Sequence, residues 1–274
     1  MSSPRTGTDS RLDALTSLAE ATALEAAELL RSALERTDLA VSTKSTGTDM
    51  VTEMDRASEQ LISERILTER SDDGMLGEEG TDVEGSSGVR WIVDPLDGTT
   101  NYLYGHTGCN VSIAAEVDGE LAIGVVVDVL PRSVFVGQAG VGATRDGKPI
   151  PQLPDPPRLS GALVATGFGY EPTRRRAQAE LLGRVIGEIR DIRRVGAAAV
   201  DLCSVASRRV DAFYERGLAP WDLAAGTVIA RSCGALVTDL DGGDPGADFV
   251  IAAHPVLHAE LTELLLRESA DRLP

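Results

Sequence analysis

Trp91-Ile92-Val93-Asp94-Pro95-Leu96-Asp97-Gly98-Thr99-Thr100-Asn101 is the stretch that decides the fold of this 274-residue chain. The apolar run over 89–93 predicts a buried strand that delivers Asp94. Pro95 fixes φ and removes a donor, so a rigid turn is expected between Asp94 and Asp97. Such a turn lets both carboxylates and the Leu96 carbonyl point to one place. Gly98 removes a side chain where backbone must approach a ligand. The amides of Gly98 and Thr99 would then open a helix, and a helix start binds anions. Carboxylates with no adjacent cation, beside such a cradle, suit a hard metal ion next to a phosphate. Mg2+ takes oxygen ligands and keeps one side for water and substrate.

Two more acids complete such a site: Glu78, in the turn Gly77-Glu78-Glu79-Gly80, and Asp222, at the start of a helix opened by Trp221. Two carboxylates ~4 Å apart repel by roughly 4 kcal/mol at an effective dielectric of 20. A bound cation turns that penalty into binding. Taken singly, Asp94, Asp97 and Asp222 read equally well as helix caps or turn residues. The set, followed by Gly98-Thr99-Thr100, favours a metal. Glu79 reads as a solvated neighbour.

Composition narrows the partners. With 26 Lys+Arg against 43 Asp+Glu the formal charge is −17, which argues against nucleic-acid binding through phosphate contacts. The same charge repels a phosphorylated substrate unless a bound metal inverts the local field. Cys109, Cys203 and Cys233 form no C-x-x-C pattern and read as reduced core thiols. The polar segment 1–11 lacks the apolar core of a signal peptide, and no apolar run approaches the ~20 residues of a membrane span. A cytoplasmic protein with no membrane partner is expected.

Outward from the central stretch, the first dozen residues are expected to be disordered. Leu12, Leu15, Ala19, Ala23, Ala26, Leu30, Ala33 and Leu34 then follow helical spacing and predict a helix ending near Arg36. A polar loop over 43–49 and a helix over 55–69 come next. Between 110 and 145 the pattern is strand-like. Val111, Ile113 and Ala115 alternate with Ser112, Ala114 and Glu116, and Asp118-Gly119 and Asp146-Gly147 mark turns. Residues 1–148 therefore read as an α+β half, helices on a largely antiparallel sheet. Prolines at 149, 151, 154, 156 and 157 mark a boundary. Over 158–274, strands at 162–166, 192–195, 212–214, 235–238 and 249–252 alternate with helices at 174–189, 197–207, 221–232 and 255–267. That alternation predicts an α/β half. Gly234 is placed as the C-terminal cap of the helix that opens with Trp221.

Gly77-Glu78-Glu79, the 91–101 stretch, Glu215, and Pro220-Trp221-Asp222-Leu223-Ala224-Ala225-Gly226 resemble the inositol monophosphatase family, in order, over about 12–254. The resemblance implies the layered α-β-α-β-α sandwich of the sugar phosphatase superfamily, usually a homodimer. It implies Mg2+-dependent, often lithium-inhibited hydrolysis of a phosphate monoester, with two or three ions per site. Carried over by position, Glu78, Asp94, the Leu96 carbonyl, Asp97 and Asp222 become metal ligands. Gly98 and Thr99 become phosphate contacts. Asp55 matches the acid that pairs with Thr99 to orient the attacking water, and Glu78 shares in catalysis. From the residues alone, Asp55 is a helix N-cap. Lys44 and Asp49 match a loop that closes over the metals; from the residues alone, Lys44 is an exposed loop lysine. Ala198, Glu215 and Asp222 match positions that touch the sugar alcohol, and Glu215 reads otherwise as a surface charge at a strand end.

The reaction so implied is in-line displacement, with no covalent phosphoenzyme. Inositol 1-phosphate leads as substrate. Histidinol phosphate, fructose 1,6-bisphosphate and 3′-phosphoadenosine 5′-phosphate are handled by relatives with similar metal motifs. A regulatory binding protein that keeps the fold is the alternative from another class. His254 and His258 lack a third ligand and are expected on a solvated helix, and His106 near the site mouth. Arg174-Arg175-Arg176 and Arg193-Arg194 read as solvated or interface faces that also have the charge to steer anions.

Overall fold

The computed structural model describes residues 10–34, 41–43 and 50–273. The chain opens with α1 (Ser10–Leu34), a short antiparallel ribbon of β1 (Val41–Thr43) and β2 (Met50–Thr52), and α2 (Glu53–Glu69). An eight-stranded sheet follows: β3 (Gly74–Gly77), β4 (Asp82–Val83), β5 (Val89–Asp97), β6 (Asn110–Val117), β7 (Glu120–Asp128), β8 (Val134–Gln138), β9 (Gly142–Arg145) and β10 (Lys148–Pro149). The short α3 (Thr99–Leu103) interrupts it between β5 and β6. Spatial order is β10-β9-β8-β7-β6-β5-β3-β4, antiparallel except where β3 runs parallel to β5.

The second half holds β11 (Leu163–Thr166), α4 (Pro172–Val185), β12 (Asp191–Arg193), α5 (Ala198–Ala206), β13 (Ala212–Glu215), α6 (Pro220–Ser232), β14 (Leu236–Thr238), β15 (Val250–Ala253) and α7 (Pro255–Arg267). Its five-stranded sheet has the order β12-β11-β13-β15-β14, parallel across the first three. α1 and α2 cover one face of the large sheet, and α5 and α6 lie between the two sheets. α4 and α7 pack on the far face of the small sheet through Leu181, Val185, Leu257 and Leu261. The layering is the expected α-β-α-β-α sandwich.

Strand periodicity sorts the core. Trp91, Val93, Ile113 and Val125 face Leu15, Leu30 and Ile62 of α1 and α2. Ile92, Ala114 and Val126 face α5 and α6. With both faces covered, the alternation expected at 111–116 does not separate core from solvent: Ser112 and Ala114 are buried too. Small residues on that inner face let α6 come close. A Cβ at Gly124 would lie 2.4 Å from the Ala225 carbonyl oxygen, and one at Gly137 2.8 Å from Ile229 Cα.

Several sequence boundaries move. β5 does not stop at 93 but runs on to Asp97. Its register against β6 shifts between Asp94 and Asp97, so Pro95 sits in an irregularity where no ladder donor is required. α1 begins at Ser10, so the end of the expected disordered segment is helical; its expected end at Arg36 lies outside the described residues. α2 starts at Glu53, which puts Asp55 inside the first turn rather than at the N-cap. α4 spans Pro172–Val185, with the Glu171 side chain accepting from the Arg174 amide at 2.6 Å. β12 lies at Asp191–Arg193, and Gly234 follows α6 with φ +86°, as a C-terminal glycine should. Among the described residues, no helix is long and apolar enough to cross a membrane.

Candidate metal and phosphate site

β3 and β5 are parallel neighbours, so their C-terminal ends bring Glu78 and Asp94 together; the Glu78 amide donates to the Val93 carbonyl at 3.2 Å. β3 was not foreseen from the sequence, yet it places Glu78. Asp97 ends β5, and the N-terminus of α6 supplies Asp222 from the other half. One oxygen from each of Asp94, Asp97 and Asp222 lies within 4.8 Å of the others. Each carboxylate is oriented by an amide. Asp94 Oδ1 accepts from the Leu96 amide at 3.0 Å. Asp97 Oδ2 accepts from Asn110 Nδ2 at 2.9 Å and the Ala199 amide at 3.1 Å. Asp222 Oδ2 accepts from the Ala219 amide at 2.6 Å.

Burial, then the charges of Glu78, Asp97 and Asp222, push Asp94 well above the usual carboxylate range. Burial, then Asp222, lifts Asp97 to about 8 against the hydrogen bonds from Asn110 and Ala199. Burial lifts Asp222 to about 6. Without a cation, burial and mutual repulsion favour the protonated forms of these acids. An all-oxygen donor set of three converging carboxylates fits a hard divalent ion.

That state has a stability consequence. Carboxylates whose folded pKa is raised stabilise the metal-free fold at low pH and lose that contribution as pH rises through the folded values, here about 6 for Asp222 and about 8 for Asp97. A divalent cation must displace those protons, so its stabilisation should grow over the same window. Melting temperatures with and without millimolar Mg2+ at about pH 5.5 and about pH 8.5 are expected to differ more at the higher pH. An equal shift at both would contradict the cluster as the binding site.

Gly98 has φ +82°, and a Cβ there would sit 2.4 Å from the Gly108 carbonyl oxygen, so only glycine fits the turn. Thr99 opens α3, and its hydroxyl donates to the Leu96 carbonyl at 3.2 Å. α3 has five residues, so attraction for an anion comes from its free amides more than from a summed dipole. Asn101 Nδ2 ties this segment to the Gly108 and Val195 carbonyls at 3.1 and 3.0 Å. Asp55 is buried, and one turn on, Ser58 Oγ donates to the Pro95 carbonyl at 2.9 Å, which pins α2 to the irregularity in β5. Lys44 and Asp49 lie outside the described residues.

A cavity of about 230 Å³ opens beside the acids, lined by Asp97, Ala198, Glu215 and Asp222 and walled by Phe168 and Tyr170. Glu215 ends β13 and folds against Gly167, where a Cβ would meet its carboxylate at 2.1 Å. Burial, then Asp201 and Asp222, pushes Glu215 well above its ordinary value. Glu215 is half-buried at the cavity wall rather than freely solvated at a strand end.

The sequence reading missed residues that hold this arrangement. Asp201 is buried, neither carboxylate oxygen has a partner, and burial and then Asp97 raise its pKa. An acid within the apolar segment Ala198–Ala206 was the available signal. Glu59 pins the turn after β3 by accepting from the Glu79 amide at 2.7 Å and the Thr81 amide at 2.9 Å. Glu79 is not a solvated neighbour: its side chain is 7% exposed and faces Arg56 at 3.8 Å. His258 is not solvated either; it is buried on α7 with Nε2 3.0 Å from Thr238 Oγ1, while His254 caps that helix. His106 is exposed; Cys109, Cys203 and Cys233 are buried and free, the core positions expected of them.

The geometry has counterparts. The sequence profile of the Inositol monophosphatase family matches residues 11–272. The protein called Inositol-1-monophosphatase SuhB in Mycobacterium tuberculosis is 43% identical over 239 residues, covering 84% of this chain and 82% of its own. The Nus factor SuhB of Pasteurella multocida is 38% identical over 230 residues, covering 82% and 85%. The solved structure of inositol monophosphatase from Anabaena (Nostoc) sp. PCC 7120 superposes with a TM-score of 0.83 at 32% identity, covering 94% of this chain and 97% of that one. Five layers, acids converging from two halves and a match running almost from end to end place this chain in the inositol monophosphatase family, as a phosphatase.

Proposed function

We propose that the protein hydrolyses a small polyol phosphate monoester with Mg2+, inositol 1-phosphate being the leading substrate. The observation that carries this reading is the convergence of Asp94, Asp97 and Asp222, with Gly98 and Thr99 directly beyond Asp97. Glu78, Asp94, Asp97, Asp222 and the Leu96 carbonyl would hold two or three Mg2+ ions. When bound, they supply Lewis-acid stabilisation of the charge on the attacking and leaving oxygens. The amides of Gly98 and Thr99 hold the phosphate. Thr99 Oγ accepts from the attacking water and turns its own proton from the Leu96 carbonyl to Asp55, which orients the water in line. Glu78 assists from the opposite side of the site. Ala198, Glu215 and Asp222 receive the polyol, and the family resemblance assigns Lys44 and Asp49 to a loop over the metals.

In this reading the halves 1–148 and 158–274 each supply part of the site, and the protein is a cytoplasmic homodimer. Lithium, a small hard cation of half the charge, occupies a metal position without supporting turnover. Full activity at tens of millimolar lithium would count against that carry-over. Relatives named Nus factor SuhB supply the motive for a second, regulatory reading that keeps the fold. Loss of turnover should leave such a role intact.

Glu215→Gln tests substrate identity. Glu215 should accept a hydrogen bond from a ring hydroxyl, worth roughly 0.5–3 kcal/mol. The variant should therefore lose kcat/KM on inositol 1-phosphate but barely change on an ester without ring hydroxyls. Equal losses on both would reduce Glu215 to general support of the site. Assays on histidinol phosphate, fructose 1,6-bisphosphate and 3′-phosphoadenosine 5′-phosphate rank the alternatives.

A further inference from the structure

The turn at Gly98 is backed by the segment that joins α3 to β6. This segment is exposed over 104–107 and then dips into the protein at Gly108. The Gly108 carbonyl oxygen lies against Gly98, 2.4 Å from where a Cβ would stand, and accepts from Asn101 Nδ2 at 3.1 Å. On its other side Gly108 meets Val195, just before α5. A Cβ at Gly108 would come within 2.4 Å of Val195 Cγ1, and the residue has φ +89°. Gly108 is thus a wedge between the turn, α3 and the second half of the chain. Where its carbonyl sits limits where Gly98 can sit.

Asp128 reaches the other end of this wedge. It ends β7, directly opposite Asn110 in the ladder with β6. Its backbone is fixed on both sides: the Asp128 amide donates to the Ser133 carbonyl at 2.9 Å, and the Val129 amide to the Cys109 carbonyl at 2.9 Å. Its side chain is buried and accepts from the Gly108 amide. Burial lifts its pKa to about 6, against that hydrogen bond and the charges of Arg209 and Arg145. An acid at the start of a hairpin loop ordinarily faces water or caps the turn that follows. Burying one is unfavourable unless hydrogen bonds and opposite charge compensate. Here Oδ1 has no partner at all, so the burial is only partly compensated. The contact that this placement secures is the one to Gly108.

We propose that Asp128 is a positioning residue for phosphate binding: it holds the Gly108 amide, and through the Gly108 carbonyl and Asn101 it sets the turn at Gly98 and Thr99. The inference rests on the part of the phosphatase reading in which those two amides receive the phosphate. The metal acids have other supports. Asp94, Asp97 and Asp222 are oriented by the amides of Leu96, Ala199 and Ala219. Loss of Asp128 should therefore weaken phosphate more than metal.

The test is calorimetric binding of inorganic phosphate to the Mg2+-loaded protein, beside Mg2+ binding to the same variants. Asp128→Ala should weaken phosphate about tenfold, the scale of one hydrogen bond to a charged acceptor, and Mg2+ less than about twofold. Asp128→Asn keeps an oxygen for the Gly108 amide and should recover phosphate binding to within about threefold of wild type. A purely structural role would instead lower phosphate and Mg2+ binding together, in step with the melting temperature. Hydrogen exchange in the wild-type protein gives a reading that needs no variant: the Gly108 amide should be as protected as the ladder amides of β6. Free exchange at Gly108, unchanged phosphate affinity in Asp128→Ala, equal losses of phosphate and Mg2+, or no recovery in Asp128→Asn would each overturn the inference. If esters are still hydrolysed in any of those cases, the phosphatase reading stands. The predicted changes in phosphate binding, with no hydrolysis of any ester by wild type, would overturn the phosphatase reading and leave the role of Asp128 standing.

Discussion

Asp94→Asn is expected to lower kcat at least about a hundredfold, the scale of losing a preorganised electrostatic group. Asp94 is 1% exposed where the register of β5 shifts, and it acts on Glu78, Asp97 and Asp222 through space. Asparagine keeps the volume and removes the charge that a cation would neutralise. In the metal-free protein the same change should be mild, within about 1 kcal/mol. There burial and the neighbouring acids raise the Asp94 pKa well above the normal range, which disfavours its charge, so a neutral amide is a mild replacement. The two halves of this expectation oppose a general packing role. Phosphate release gives the kinetic half, and melting in chelator gives the other. Undiminished turnover would remove Asp94 from the metal set; a large loss of metal-free stability would make it structural.

The second large effect lies away from the acids. Gly124→Val should destabilise the fold by about 3 kcal/mol or more, at the upper end of overpacking costs. The added Cβ would meet the Ala225 carbonyl oxygen at 2.4 Å and its Cα at 2.8 Å, both backbone atoms of α6. A backbone cannot rotate aside as a side chain can, so α6 must shift on β7. Asp222 sits in the first turn of that helix, so kcat should fall with stability. Gly183 in α4 provides the contrast, with nothing within 4 Å of its missing Cβ. Gly183→Ala should raise stability by about 0.5–1 kcal/mol by restricting the unfolded chain. Urea denaturation of both variants checks the pair. Equal small effects would mean that the α6–sheet contact is looser than the geometry requires.

Local pattern carried much of the fold. Helical spacing predicted α1, and the Asp118-Gly119 turn predicted the β6–β7 hairpin, because both depend on neighbours in sequence. What escaped depends on partners distant in sequence. β3 is four residues with no periodicity of its own, and it exists because β5 lies beside it. The continuation of β5 past Pro95 was hidden because proline normally ends a strand; a register shift against β6 absorbs it. His258 read as solvated because nothing near it in sequence shows that Thr238 of β14 covers it. At the site, Asp94, Asp97 and Asp222 were legible because charge in apolar surroundings is conspicuous. Asn110 and Glu59 were not, since an amide or an acid at a strand or helix surface has no signature until its partners, Asp97 and the 78–81 turn, are brought against it.

Phosphate release from inositol 1-phosphate by the purified chain, in Mg2+ and then in excess chelator, tests the central claim most directly. Turnover in Mg2+ is expected to fall at least about a hundredfold in chelator and to return when Mg2+ is restored. Equal turnover in chelator, or no release from this or any related monoester in Mg2+, would contradict it.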